Sequence, residues 1–135
     1  MDLHNNIKVS RGISPQNEGG TSALVSQIID TADFFATEFV IATGSLADSN
    51  ATFTVLVEDG DNSGLSDNVA VSDANLLGTE VLASFQFDDD NETRKIGYIG
   101  GKRYVRVTIT PAGNSADAYI SGVWVQSGAR VKPQA

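Results

Sequence analysis

Apolar and polar residues alternate with a period of two along much of the chain. In "TFTVLVE", Phe53, Val55 and Val57 fall on one side and Thr52 and Thr54 on the other. Successive side chains of a strand point to opposite faces, so this pattern predicts a strand with one face in a core. Leu56 adds an apolar residue to the second side, which points to cover on both faces. The clearest run is "RYVRVTIT", where Val105, Val107 and Ile109 oppose Tyr104, Arg106 and Thr108. In "AYISGVWV", Ile120 and Trp124 oppose Tyr119, Val123 and Val125. Weaker strands are expected over 5–10, 22–30, 37–43, 80–87 and 94–100.

Turn-forming clusters separate these runs: "TGSLADSN", "EDGDNSG", "FDDDNE", "IGGKR" and "TPAGNSAD". Short strands at regular spacing predict an all-β fold, an antiparallel β-sandwich or jelly-roll-like body. Pro111 stands at a strand end, where its missing N–H costs least. Helical periodicity is almost absent; "TADFFATEF" predicts a short turn with Phe34 and Phe35 packed on the core. Residues 63–78 read as a long crossing loop with a short strand around Val69 and Val71. The ends are polar. The expected organisation is an N-terminal arm with a short strand over 1–21, a sandwich body over 22–126, and a C-terminal tail over 127–135 containing Arg130, Lys132 and Pro133.

Composition narrows the function classes. A chain of 135 residues, 41% of them hydrophobic, is one ordinary folded domain. Nine basic and 17 acidic residues give a net charge of −8. That balance argues against direct binding to nucleic acid, whose phosphates need a basic surface, and against docking on anionic lipid. The absence of cysteine excludes disulfides, thiolate nucleophiles and zinc–thiolate or iron–sulfur sites. "MDLHNNIKVSRG" lacks a basic segment followed by an apolar run, so synthesis in a cytoplasm without a secretory signal is expected. No apolar stretch approaches the roughly 20 residues that cross a bilayer.

The acidic loops are the main candidates for chemistry. Asp59, Asp61, Ser63 and Gly64 match the opening half of an EF-hand loop. The required bidentate Glu is replaced by Ala70, and a strand rather than a helix precedes the loop, so that reading fails. Asp59, Asp61 and Asp67 remain as weak candidates for a different calcium site. The favoured alternative is a solvated hairpin tip, because Asp, Asn and Gly supply turn conformations. Asp88–Asp90 pose the same choice between a cation cluster and a charged turn. A hydrolase would need two such carboxylates across a cleft, and all of them fall in expected loops. His4 has no Ser or Cys partner in a recognisable constellation, and Gly97–Tyr104 lacks the spacing of a phosphate loop. Tyr98, Tyr104, Tyr119 and Trp124 fit either a sugar-binding face or a sandwich core, with Trp124 assigned to the core. Asn50 and Asn91 match the glycosylation pattern by chance. The expectation is a non-enzyme without a cofactor.

Three stretches resemble the small virion proteins of tailed bacteriophages: "MDLHNNIKVSRGISPQ", "IATGSLADSNATFTVLVEDGDNSGLSD" and "TRKIGYIGGKRYVRVTITPAGNSADAYISGVWV". The resemblance is to the capsid decoration, or cement, type. It implies attachment to the outer surface of the virion, the major capsid protein as partner, and a homotrimer. It also implies a terminal arm that reaches neighbouring subunits, with Asn6, Ile7, Lys8, Val9, Arg11 and Ile13 as contact candidates that add a strand to a neighbour's sheet edge. Other small β-rich virion proteins sit at the head–tail connector, in the tail or as head fibres. A carbohydrate-binding β-sandwich module is the alternative from another class.

Overall fold

A computed structural model describes residues 2–129. The alternating segments form long ladders. These are β1 (Ile7–Asn17), β4 (Ala36–Leu46), β5 (Thr52–Gly60), β9 (Thr93–Tyr98), β10 (Tyr104–Ala112) and β11 (Ala118–Ser127). Two-residue strands fill the gaps: β2 (Leu24–Val25), β3 (Ile29–Asp30), β6 (Val69–Ala70), β7 (Leu76–Leu77) and β8 (Phe85–Gln86). The one α-helical turn among the described residues is α1 (Glu80–Ala83). The strands make two antiparallel sheets packed as a sandwich. The first has the order β1-β11-β4-β9-β7; the second is β2-β10-β5-β6, with β3 on β10 and β8 on β5.

The inner faces follow the alternation. Val105, Val107 and Ile109 of the second sheet have no exposed surface, and Phe53, Val55 and Val57 beside them have almost none. Phe39, Ile41, Ile96, Ile120 and Trp124 meet them from the first sheet. Phe39 and Trp124 pack edge to face at 4.7 Å, and the Trp124 indole donates to the Gln27 carbonyl at 3.1 Å, which satisfies its N–H in the core. The Phe39 ring lies across Gly12 and Gly122. A Cβ at either position would collide with it, so two strands are glycine where the ring crosses them.

Several expectations are corrected. The N-terminal segment is not a free arm over its length. Residues 7–17 form a strand on the body's own sheet, from Ile7↔Ser127 to Asn17↔Tyr119. The strand that was expected to complete a neighbour's sheet completes its own, because β11 presents an open edge within reach. Residues 22–30 are two short strands interrupted at Ser26, whose hydroxyl accepts the Val107 N–H at 2.9 Å in place of a ladder partner. Residues 80–87 are not one strand. Thr79 caps a helical turn by accepting the Leu82 N–H, and only Phe85–Gln86 pair with β5. Phe35 is 81% exposed rather than packed on the core. Leu56 is exposed, so β5 is covered on one face only. The loop over 63–78 does cross between sheets, from β6 on the second to β7 on the first. The expected tail beyond residue 129 lies outside the described residues.

Candidate functional site

The acidic loop that follows β5 is a hairpin tip: Glu58 and Asp59 pair with Ala70 and Val69. Its carboxylates serve the turn. Asp67 accepts the backbone N–H of Asp61 at 2.9 Å and of Asn62 at 3.3 Å. These bonds, led by that from Asp61, hold its pKa below the ordinary 3.8. Asn62 accepts the Gly64 N–H, and Leu65, at a positive φ of 54°, plugs the underside of the loop. Asp61 pairs with Lys102 at 3.1 Å. Asp59 accepts the Tyr98 hydroxyl at 2.6 Å, and the same oxygen of Tyr98 accepts the Lys102 N–H at 2.9 Å. Burial, then the Asp59 carboxylate, push the Tyr98 hydroxyl well above its ordinary 10.0. Asp59 and Asp61 share a groove of about 460 Å³ with Ser72, Asn75 and Lys102, while Asp67 turns back into its own loop.

The second acidic run diverges in the same way. Asp89 accepts the Gln86 N–H at 2.8 Å and pairs with Arg94 at 3.2 Å, while Asp88 and Asp90 are exposed. Among the described residues, no group of three or more His, Cys, Asp or Glu side chains is arranged to hold a metal ion. His4 is exposed in a short 3-10 turn. The four large aromatics are not brought together. Tyr98 and Trp124 face the core, Tyr104 is half-buried on the second sheet, and Tyr119 is 46% exposed on the first.

The feature that stands out is the outer face of the first sheet. Directly opposed residues of antiparallel strands share a face. One row across the sheet is therefore Val9, Val125, Glu38, Gly97 and Leu77. The next is Arg11, Val123, Val40 and Lys95, and the row on the other side is Ile7, Ser127 and Ala36. Val9 is 58% and Leu77 56% exposed, with no described residue laid over them. At one end, exposed Phe35 and Ile99 join Ile7, Leu77 and Val125 around a depression of about 200 Å³. The outer face of the second sheet is more polar: it carries Thr52, Thr54, Thr108 and Thr110 and the Arg106–Glu58 ion pair, with exposed Val25 and Leu56 on either side of Thr108.

Charge is sparse on the apolar face and inclined to the positive. Arg11 and Lys95 lie within ion-pair distance of no described carboxylate, whereas Lys8 belongs to the other side of β1, in the row of Gln126 and Thr37, with its ammonium 6.0 Å over the Phe34 ring. Glu38 lies over Gly97, and burial there raises its pKa above 4.5 against the opposing pull of Lys95. Of the contact candidates, Val9 and Arg11 point out from this face and Ile7 is half-buried on it. Asn6 precedes the strand and bonds back to Asp2. Ile13 is corrected: it is 3% exposed, part of the core, and not available to a partner. Sequence reasoning missed Phe35, Leu77 and Ile99. Only the apolar character of both sides of β11 signalled an uncovered face.

No helix among the described residues is long and apolar enough to cross a membrane. No protein-family profile and no curated sequence matches the chain. Solved structures do share its fold. The PBSX exported protein XepA superposes with a TM-score of 0.54 at 11% identity, over 100% of this chain and 41% of XepA, so the chain spans about two fifths of that protein. The SPBc2 prophage-derived protein YomS superposes with a TM-score of 0.53 at 13% identity, over 89% of this chain and 95% of YomS. A looser likeness, TM-score 0.44 at 10% identity, is to the C-terminal family 22 carbohydrate binding module of Clostridium thermocellum Xyn10B, over 97% of this chain and 99% of the module. The chain is an antiparallel β-sandwich that shares its fold with part of XepA and with the prophage-derived YomS.

Proposed function

We propose that the chain is a non-enzymatic structural protein of a phage particle, a decoration protein that binds the outer surface of the capsid shell. The observation that carries this reading is the uncovered apolar face of the first sheet. Solvated sheets are ordinarily polar on the outside, and a contiguous exposed apolar surface marks a docking site. The partner is the major capsid protein, through an apolar patch bordered by carboxylates that would answer Arg11 and Lys95. Strand addition is restricted to residues 7–11, where β1 pairs regularly with β11 and its other edge is open. Beyond them the register shifts and Pro15 protects the edge. The resemblance to decoration proteins supports a homotrimer as the assembled form. The shared fold with XepA and YomS is compatible with a phage setting.

The test is quantitative mass spectrometry on purified particles. A copy number near that of the major capsid protein is the expected result. A few copies per particle would move the protein to the connector, tail or fibres, and absence from particles would overturn the reading. Val123→Asp, which places a charge at the centre of the face, should abolish rebinding to stripped shells while leaving the fold intact.

A further inference from the structure

A second concavity lies at the opposite end of the first sheet, where its strands lose register. β1 slips against β11 between Arg11 and Ile13 and again between Ile13 and Gln16. β4 carries an extra residue against β11, so Gly44 and Ser45 together oppose Tyr119. The result is a groove of about 330 Å³, lined by Pro15, Gln16, Thr43, Gly44, Tyr119 and Ser121 among others. Tyr119 stands in it 46% exposed. Gly44 leaves bare backbone beside the ring, since even a Cβ there would sit only 3.0 Å from the Tyr119 Cβ.

The polar groups around the ring are held in place. The Asn17 amide donates to Asp117 at 2.9 Å and its carbonyl accepts the Ala118 N–H at 3.0 Å. The Gln16 amide donates to the Ser14 carbonyl at 3.1 Å, which leaves the Gln16 carbonyl oxygen free to accept. Among the described residues, no Asp, Glu, Lys or Arg side chain lines the groove. An aromatic platform with a few fixed polar groups, at the lower end of the size range of ligand sites, is built for a flat, partly apolar and hydroxyl-rich ligand. We propose that this groove binds a segment of uncharged glycan, with the apolar face of one sugar ring on Tyr119 and its hydroxyls toward Gln16 and Asn17. A polyanionic ligand fits poorly, because the chain carries −8 and no described residue lining the groove is a cation. Tyr119 and Val123 are four residues apart on the same outer side of β11, about 13 Å along a strand, so the groove borders the docking face and is tested on the free chain.

The experiment titrates the purified chain with N-acetylchitotetraose and with cellotetraose, followed by saturation-transfer NMR and calorimetry. Saturation transfer to the ring protons of at least one sugar is expected. Tyr119→Ala should weaken binding about tenfold, the scale of one lost aromatic contact, while Tyr119→Phe retains it. Ala42→Arg, which fills the groove from β4, should abolish it. Tyr119 and Ala42 are exposed, so unchanged melting temperatures will separate lost binding from lost folding. No transfer to either sugar, or a Tyr119→Ala variant that binds like the parent, would overturn the proposal, as would equal affinity for polygalacturonate. None of these outcomes depends on whether the chain is found on particles.

Discussion

At the scale of single residues, one phenol ties the two sheets together beside the acidic loop. Tyr98 belongs to β9 of the first sheet; its hydroxyl reaches Asp59 of β5 in the second and also receives the Lys102 N–H. Tyr98→Phe keeps the packing but leaves both partners without it. It should lower unfolding stability by about 1–2 kcal/mol in urea titration. The carboxylates divide into two groups. Asp30 is held below its ordinary 3.8 by the Arg103 guanidinium, and Asp48 and Asp67 by backbone N–H groups. A depressed folded pKa stabilises above the unfolded value, and that stability is lost as pH falls through the folded one. Glu38 is the reverse case. Burial raises its pKa from 4.5, so its charge weighs against the fold once pH rises past that value. The melting temperature should therefore fall as pH drops below about 4. Glu38→Gln should melt higher than the parent at neutral pH and lose that advantage in acid. A Glu38→Gln variant that melts lower at neutral pH would mean that its attraction to Lys95 outweighs its burial.

At the scale of elements, the long strands were legible because each buries alternate residues of a continuous run, as Val105, Val107 and Ile109 show. The short ones were not, because their partners are remote in sequence. "EVLASFQF" has the apolar content of a strand. Its role is set by β5, whose Val55 and Val57 N–H groups are accepted by the Ser84 hydroxyl at 3.0 Å and the Glu80 carboxylate at 2.7 Å. A helical turn that caps a sheet edge with side chains leaves no local periodicity. The N-terminal strand reads as an arm for a related reason: its polarity reflects an edge position, and its two buried residues, Gly12 and Ile13, are adjacent at a register shift. Hydrogen exchange in the free protein should thus show the β11-paired amides of residues 7–11 protected like those of β11, with faster exchange near the shifts at 12–16. Uniformly fast exchange over 7–17 would restore the mobile arm. Gly122→Ala should cost about 1–3 kcal/mol in thermal or urea unfolding, since the Phe39 ring that crosses β11 must move to admit a methyl group.

At the scale of the molecule, charge and apolar surface are segregated. The acidic residues gather at the β5–β6 tip and the loop after β8, whereas among the described residues the central rows of the first sheet's outer face carry only Glu38 against Arg11 and Lys95. Little of that face was legible beforehand. Phe35, Leu77 and Ile99 are far apart in the chain and meet only through the sheet order. Tyr119, Val123 and Val125 were visible as a second apolar side of one strand, with nothing to say that no layer covers it. The segregation has a consequence for self-association. Two copies bring like net charges of −8 together, and the apolar face is where they meet with the fewest acids opposed. Repulsion acts over a Debye length of about 10 Å at 0.1 M salt and about 3 Å at 1 M, while apolar contact is not weakened by salt. Sedimentation velocity should therefore show the mass of the free protein rising as sodium chloride is increased, through the face that the shell would otherwise cover. Val9→Asp and Val123→Asp should each hold the chain monomeric across the series. If those variants associate as the parent does, self-contact lies elsewhere, at Val25, Val69 or the exposed Val81–Leu82 of α1. A parent that stays monomeric at all salt concentrations would reserve the apolar face for a different protein.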